Sequence, residues 1–307
     1  MRVAPLNAAI PLSLILIPAA AADDGSRSAV VVPPTPTPQP AQQPEESDGG
    51  ACVTVPVIGR RGPPPHLLCG PEPGSTPRGQ LVLFFVGSGG KPPAPNAPFV
   101  QHARSLGFHF FGLSYPDAPS VGSFCESSGR QLADPDCDYR IRKIRLFGGR
   151  YNASAPCTAK DGCVEPASLG GVAQFSAVVQ AAAKRGGGWA AFTDADGIAW
   201  GKVVAAGHSQ GAGMALLVGQ LHPLAGVAQL AGVDDIDING ADPSSTPAPW
   251  VLRNRSGATP IERVWGLGNV WGFCCAYWHA NWPAIGMLGP LVSVDGGVAG
   301  KCRSAQA

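Results

Sequence analysis

The stretch KVVAAGHSQGAGMALLVGQL, residues 202–221, decides the fold. Lys202–Ala206 reads as a short apolar strand, and Ala212–Leu221 reads as a helix of small and aliphatic residues. Between them stands Gly207-His208-Ser209-Gln210-Gly211, which matches the pattern G-x-S-x-G. A strand that runs into a helix through this pentapeptide predicts a sharp turn, with Ser209 strained and its hydroxyl exposed. Glycines two before and two after the serine let strand and helix approach without Cβ clashes. The N-terminus of the helix adds positive potential where an oxyanion would form.

Working outward, Gly79–Gly87 holds the continuous apolar run LVLFFV between glycines, the signature of a strand buried on both faces. Ala97–Leu106 is expected to be a helix and Phe108–Leu113 a further strand. Residues 114–165 form a long cysteine-bearing excursion without a clear period. A helix over Pro166–Arg185 precedes the decisive stretch. Beyond it come strands at Gly226–Ala231 and Arg263–Leu267, a helix over Tyr277–Leu288, and a last strand over Pro290–Val294. Val53–Ile58 is β-prone. Strands alternating with helices predict βαβ units and a mostly parallel sheet.

The loop Val86-Gly87-Ser88-Gly89-Gly90 follows the apolar strand 81–86. It is placed to supply a second backbone N–H to an oxyanion hole, from Ser88 or Gly89, beside that of Gln210. The tryptophans at 265, 271, 278 and 282 either line an apolar acyl pocket or pack a core. Arg140–Arg145, RIRKIR, reads as a solvated basic face.

With these residues in place, the chain resembles the α/β-hydrolase superfamily over roughly residues 75–295. It is similar more narrowly to a branch of secreted esterase- and lipase-like hydrolases. The stretches that carry this likeness are Leu113-Ser-Tyr-Pro116, Cys125 with Asp134-Pro-Asp-Cys137, Gly207–Gly211 and Ala248-Pro-Trp250. The resemblance implies an α/β fold with a mostly parallel sheet and helices on both faces. It also implies hydrolysis of carboxylic esters through an acyl-enzyme on Ser209, with an acid and then a histidine later in the chain. The alternative is a catalytically impaired or truncated homologue that binds rather than cleaves.

The histidine of that family follows the last strand, and residues 296–307 contain none, so the domain is expected to be C-terminally incomplete. His279, beside Trp278 and Trp282, is the candidate base. Because it precedes the last strand, it is expected to lie beyond hydrogen-bond reach of Ser209. The usual acid position after strand 263–267 carries no carboxylate in residues 268–274. Asp234 and Asp235, at the end of the preceding strand, are the candidate acids.

The N-terminus has a basic Arg2, an apolar core Ile10–Ile17 and a small-residue Ala20-Ala21-Ala22, as a signal peptide cut after Ala22 would. Residues 1–22 are thus expected to be a leader, 23–50 a disordered Pro-rich linker and 51–307 the hydrolase domain. Secretion, or export to a periplasm, follows. In such a compartment the nine cysteines read as disulfides, neighbour with neighbour: Cys52–Cys69, Cys125–Cys137, Cys157–Cys163, and Cys302 with Cys274 or Cys275. Asn152-Ala-Ser and Asn254-Arg-Ser are glycosylation sequons. With 22 basic residues against 21 acidic, no nucleic-acid partner is expected. No apolar run is long enough to span a bilayer. The expected partner is a small-molecule or polymeric ester, and no metal or organic cofactor is expected.

Overall fold

The computed structural model describes residues 51–151, 158, 163–240, 242, 246–253, 258–268 and 275–287. The leader and linker, Asn152, Cys157, Asn254, Trp271, Cys274, Cys302 and the expected strand 290–294 lie outside them. All described residues belong to the second of two units into which the chain divides, Glu46–Ala307.

Seven strands form one sheet: β1 Cys52–Val55, β2 His66–Cys69, β3 Leu81–Phe85, β4 His109–Leu113, β5 Val203–His208, β6 Gly226–Leu230 and β7 Val264–Leu267. Their order across the sheet is β1-β2-β4-β3-β5-β6-β7. The pairs β4–β3, β3–β5, β5–β6 and β6–β7 are parallel, while β1–β2 and β2–β4 are antiparallel. The fold is therefore α/β with a large, mostly parallel central sheet. Every residue of β3 and β4 is buried, which is why their sequences show no polar alternation. β1 and β2 add an antiparallel edge. Cys52 and Cys69 face each other in register there and are joined by a disulfide. β2 was not legible in the sequence, because HLLC is too short to stand out against its Pro-rich flank.

The helices are α1 Pro98–Ser105, α2 Val121–Cys125, α3 Arg130–Ala133, α4 Cys137–Phe147, α5 Gly171–Ala183, α6 Gln210–Leu221 and α7 Cys275–Ala284. None of the described helices is long and apolar enough to cross a membrane. Nearly all of α6 is buried, as its uniformly small and aliphatic composition requires. Its glycines permit close approach on two sides. A Cβ at Gly219 would stand 2.5 Å from Val227, and one at Gly213 would stand 2.5 Å from the Arg142 guanidinium carbon.

Three helices, α2 to α4, occupy the excursion whose period was illegible. A second disulfide, Cys125–Cys137, pins α2 to the start of α4. Cys163 is disulfide-bonded as well. The reading of Arg140–Arg145 as a solvated face is corrected here. Arg140 and Lys143 are exposed, but Arg142 and Arg145 are 1% and 0% exposed. The run lies on a helix, and positions 142 and 145 share one face, three residues apart. That face is turned toward α6.

The order of the strands fixes where a ligand can sit. Successive elements leave β3 toward β4 on one side and return to β5 on the other. A parallel sheet of this kind opens a crevice at the carboxyl ends of strands where the order reverses. That point lies between β3 and β5, where Phe85 pairs with Gly207.

Candidate active site

Ser209 stands at that crevice. β5 ends at His208 and α6 begins at Gln210, so a single residue makes the whole turn. It does so at φ 53° and ψ −124°, a conformation costly for a residue with a side chain. The Ser209 N–H donates to Leu230 O at 2.8 Å, which ties the turn to β6. Ser209 itself stays partly exposed. The flanking glycines are required by contact. A Cβ at Gly207 would overlap Gly211 O, and one at Gly211 would overlap Phe85 O and approach Val86 O at 2.6 Å.

The loop after β3 meets this turn, through Gly87. A Cβ placed on Gly87 would lie 3.5 Å from Ser209 Cβ and 3.3 Å from His208 Nδ1. Ser88 and Gly89, the expected oxyanion donors, are exposed at the tip of a turn closed by Gly90 N–H donating to Gly87 O at 3.0 Å. Tyr115 props the base of the loop, its hydroxyl donating to Val86 O at 2.7 Å. Burial pushes the Tyr115 phenol up to about 12, so it stays a donor.

Gln210 is clamped on all sides. Its side-chain Oε1 accepts from Val121 N at 2.7 Å and from Arg145 Nη1 at 3.1 Å. Its Nε2 donates to Asp117 O at 2.9 Å, and its own carbonyl accepts from Arg142 Nη1 at 2.7 Å. The peptide that carries the Gln210 N–H is held as well, since its carbonyl, Ser209 O, accepts from Ala212 N at 2.8 Å, as an electrostatic site requires.

Behind the clamp, Arg142 forms a bidentate pair with Asp235. Nε donates to Oδ2 at 2.7 Å and Nη2 to Oδ1, while Trp250 Nε1 donates to the same Oδ2 at 2.8 Å. All three side chains are buried. Asp235, one of the two candidate acids, thus spends its oxygens on the scaffold that holds Gln210. Asp234 differs. Its Oδ1 is buried with no hydrogen-bond partner among the described residues. Burial, and then the charge of Asp235, push its carboxyl up to about 8. The segment that carries both acids lies against the turn, since a Cβ at Gly232 would stand 2.7 Å from Ser209 O.

His279 is placed on α7, which docks on the same segment from outside. Asn281 Nδ2 donates to Val233 O at 2.7 Å and Trp282 Nε1 to Gly232 O at 2.8 Å. Trp278 and Trp282 pack against each other with ring centroids 4.3 Å apart, both buried. These two tryptophans are therefore core. His279 is exposed, and its ring lies against Trp278 at 4.1 Å between centroids. His222, which also follows Ser209 in the chain, sits past the far end of α6, stacked on Trp200 at 4.1 Å. Among the described residues no imidazole hydrogen-bonds to Ser209. The structure thus gathers Ser209, Gln210, Gly87 and the segment 232–235, and it leaves His279 facing solvent.

A cavity of about 250 Å³ opens next to the loop after β3. Val86, Gly90, Ser114, Tyr115, Asp117 and Arg60 are among its walls. The two residues that link it to the turn, Tyr115 and Asp117, carried no recognisable sequence signal beyond the LSYP stretch. Arg142 and Arg145 were masked by the charge of the run they sit in.

No family model and no curated protein matches the chain. Solved structures do match in part. An acetyl xylan esterase from Aspergillus awamori shares 15% identity over 60% of this chain and 53% of its own, with a TM-score of 0.32. A siderophore hydrolase from Aspergillus fumigatus shares 15% identity over 62% of this chain and 45% of its own, with a TM-score of 0.30. An esterase of the bacterial hormone-sensitive lipase family shares 15% identity over 78% of this chain and 69% of its own, with a TM-score of 0.35. The chain thus spans about half the length of the first two.

Proposed function

We propose that the chain is a secreted serine hydrolase of carboxylic esters, with Ser209 as nucleophile. The observation that carries this reading is the strained Ser209, alone between β5 and α6 at the carboxyl end of the sheet, with its backbone held from both sides. A hydroxyl presented this way reaches a carbonyl without steric hindrance. The Gln210 N–H at the first turn of α6 would face the developing oxyanion, with a second donor from the loop 87–89. The ester's acyl or alcohol group would occupy the cavity beside Tyr115. Asp234 is the better acid of the two candidates, because its free oxygen is not committed to Arg142. The compartment reading rests on the paired cysteines, which persist under oxidising conditions.

A fluorophosphonate probe tests this. It should label Ser209, and Ser209→Ala should abolish labelling. Label that survives the substitution would place the nucleophile elsewhere.

A second reading, a catalytically impaired relative that binds esters, is favoured by the exposure of His279 and its contact with Trp278. A serine hydroxyl without a base is a weak nucleophile at neutral pH. His279→Ala separates the two. Loss of labelling as complete as that of Ser209→Ala makes His279 the base. Unchanged, slow labelling favours the impaired form.

A further inference from the structure

The cavity beside the loop after β3 is walled from three directions. The chain between β1 and β2 gives Arg60, Pro63 and Pro64, the loop after β3 gives Pro92, and the chain after β4 gives Ser114 and Asp117. Its volume, about 250 Å³, lies just under the roughly 300–1,000 Å³ of small-molecule pockets, so it has room for one ring-sized group. Two contacts tie it to the turn at Ser209. Val86 and Gly90, the two ends of the loop 86–90, are walls of it, and Asp117 O accepts from Gln210 Nε2 at 2.9 Å.

Each polar wall keeps hydrogen-bonding capacity that the protein does not use. Ser114 is buried, its backbone N–H donates to His66 Nδ1 at 3.0 Å, and its hydroxyl has no partner among the described residues. That hydroxyl is not sealed inside the protein either, so it opens on the cavity. Arg60 spends only Nη2, on the two oxygens of Glu165 at 2.6 and 2.5 Å, which leaves Nε and Nη1 as donors. Asp117 keeps one oxygen, Oδ2, without a partner among the described residues. Burial raises its carboxyl above the ordinary range. The cavity is thus faced by a hydroxyl that donates and accepts, a guanidinium that only donates and an ionised carboxylate that only accepts.

We propose that this cavity holds a neutral, hydroxylated ring, a sugar or similar polyol, on the alcohol side of the ester. This substrate class presupposes Ser209 as the nucleophile proposed above. Other chemistries fail on the same three groups. An apolar ring would leave the Ser114 hydroxyl and the Asp117 carboxylate covered and without a partner, each weakening binding roughly five- to a hundredfold. A carboxylate or phosphate meets Asp117, acceptor against acceptor. An ammonium meets Arg60, donor against donor. A hydroxyl donates to the one and accepts from the other, and it reproduces the hydrogen bonds of the water it displaces. Pro63, Pro64 and Pro92 supply apolar surface for the C–H faces of the ring. A neutral ring with several hydroxyls is the alcohol of an ester, because its hydroxyls are the groups that esterify.

The Ser209→Ala chain lets binding be read without turnover. Calorimetry would compare the primary acetate of methyl glucoside with cyclohexylmethyl acetate, which puts a ring of the same size on the same ester without hydroxyls. The sugar ester is expected to bind at least about tenfold more tightly. Ser114→Ala in the same background should cut that preference about fivefold or more with no loss of Tm, because the hydroxyl bonds to no other described residue. Asp117→Asn should cut it as well, and the parent chain should show the same preference in kcat/KM. Equal or tighter binding of cyclohexylmethyl acetate would overturn the proposal. So would a preference for the sugar ester that survives both substitutions. Tighter binding of acetylcholine than of the sugar ester would replace the polyol by an ammonium. Failure of the Ser209 reading looks different: fluorophosphonate labelling is then absent or survives Ser209→Ala, while the preference in binding remains.

Discussion

Two regions meet at Gln210, and they are built by opposite rules. In residues 203–221 everything that shapes the turn is local. The strand, the helix and the two glycines flanking Ser209 lie within one short stretch, and contact alone forbids a larger side chain at 207 or 211. The region 114–147 reaches the same residue across 65 to 93 positions of chain, through Arg145, Arg142, Val121 and Asp117. There, charge and hydrogen bonding decide the structure, and volume matters less. The first region tolerates no added atom. The second tolerates no lost partner.

The harshest test of the local rule is Gly211→Ala. One methyl group would overlap the Phe85 carbonyl, which belongs to a strand that cannot move without opening the sheet. We expect a loss of about 4 kcal/mol or more, in the exceptional range for a single substitution. Denaturant unfolding would measure it, and a chain with parental stability would remove contact as the reason for that glycine.

Arg142→Met tests the distant rule. It leaves Asp235 buried with Trp250 as its one remaining side-chain donor among the described residues, at a cost of about 3–4 kcal/mol. Arg142→Met combined with Asp235→Leu should recover much of that, because Asp235 is then no longer a buried carboxylate without its guanidinium. If the double variant is no better than the single one, the pair is not the source of the loss. Fluorophosphonate labelling of the same variants would show whether the turn keeps its shape without its clamp.

Acid probes a seam between the regions. His66 on β2 accepts from Ser114 N at 3.0 Å through Nδ1, at the point where the distant segment leaves β4. Burial holds its imidazole down at about 4, below the ordinary 6.5. The unfolded chain therefore takes up the proton first. Stability is intact above about pH 6.5 and falls as pH drops toward 4, by up to about 3 kcal/mol. Unfolding midpoints of the parent and of His66→Gln across this window would measure it. Equal slopes for both would assign the acid sensitivity elsewhere.

The smallest effect is expected from Tyr115→Phe. It removes one buried hydrogen bond, to Val86 O, and should cost about 1 kcal/mol while loosening the loop that carries Gly87. An unchanged labelling rate would show that the loop holds without it.

The sequence was informative wherever neighbours in the chain are also neighbours in space. The apolar runs gave β3 to β7, the glycine spacing gave the turn at Ser209, and the nearest-cysteine rule gave Cys52–Cys69 and Cys125–Cys137. It was silent or misleading where partners are far apart in the chain. RIRKIR looks like a surface run because its charge is visible and its partners, Asp235 and the Gln210 carbonyl, are not. The acids 234 and 235 are adjacent in the chain and alike in composition, yet one is bound to a guanidinium and the other has a free buried oxygen.

By itself, then, the sequence determined strands β3 to β7, the helices α1, α5, α6 and α7 among them, the place of the sharp turn and the serine set in it. These follow from apolar period and from the absence of side chains at two glycines, both properties of a short stretch. Only the tertiary structure decided which arginine is buried, which aspartate is committed to the scaffold, and that Gly87 lies against Ser209. Those outcomes depend on what crosses the sheet to meet each group, and burial and charge pairing are properties of the folded neighbourhood and not of the residue alone.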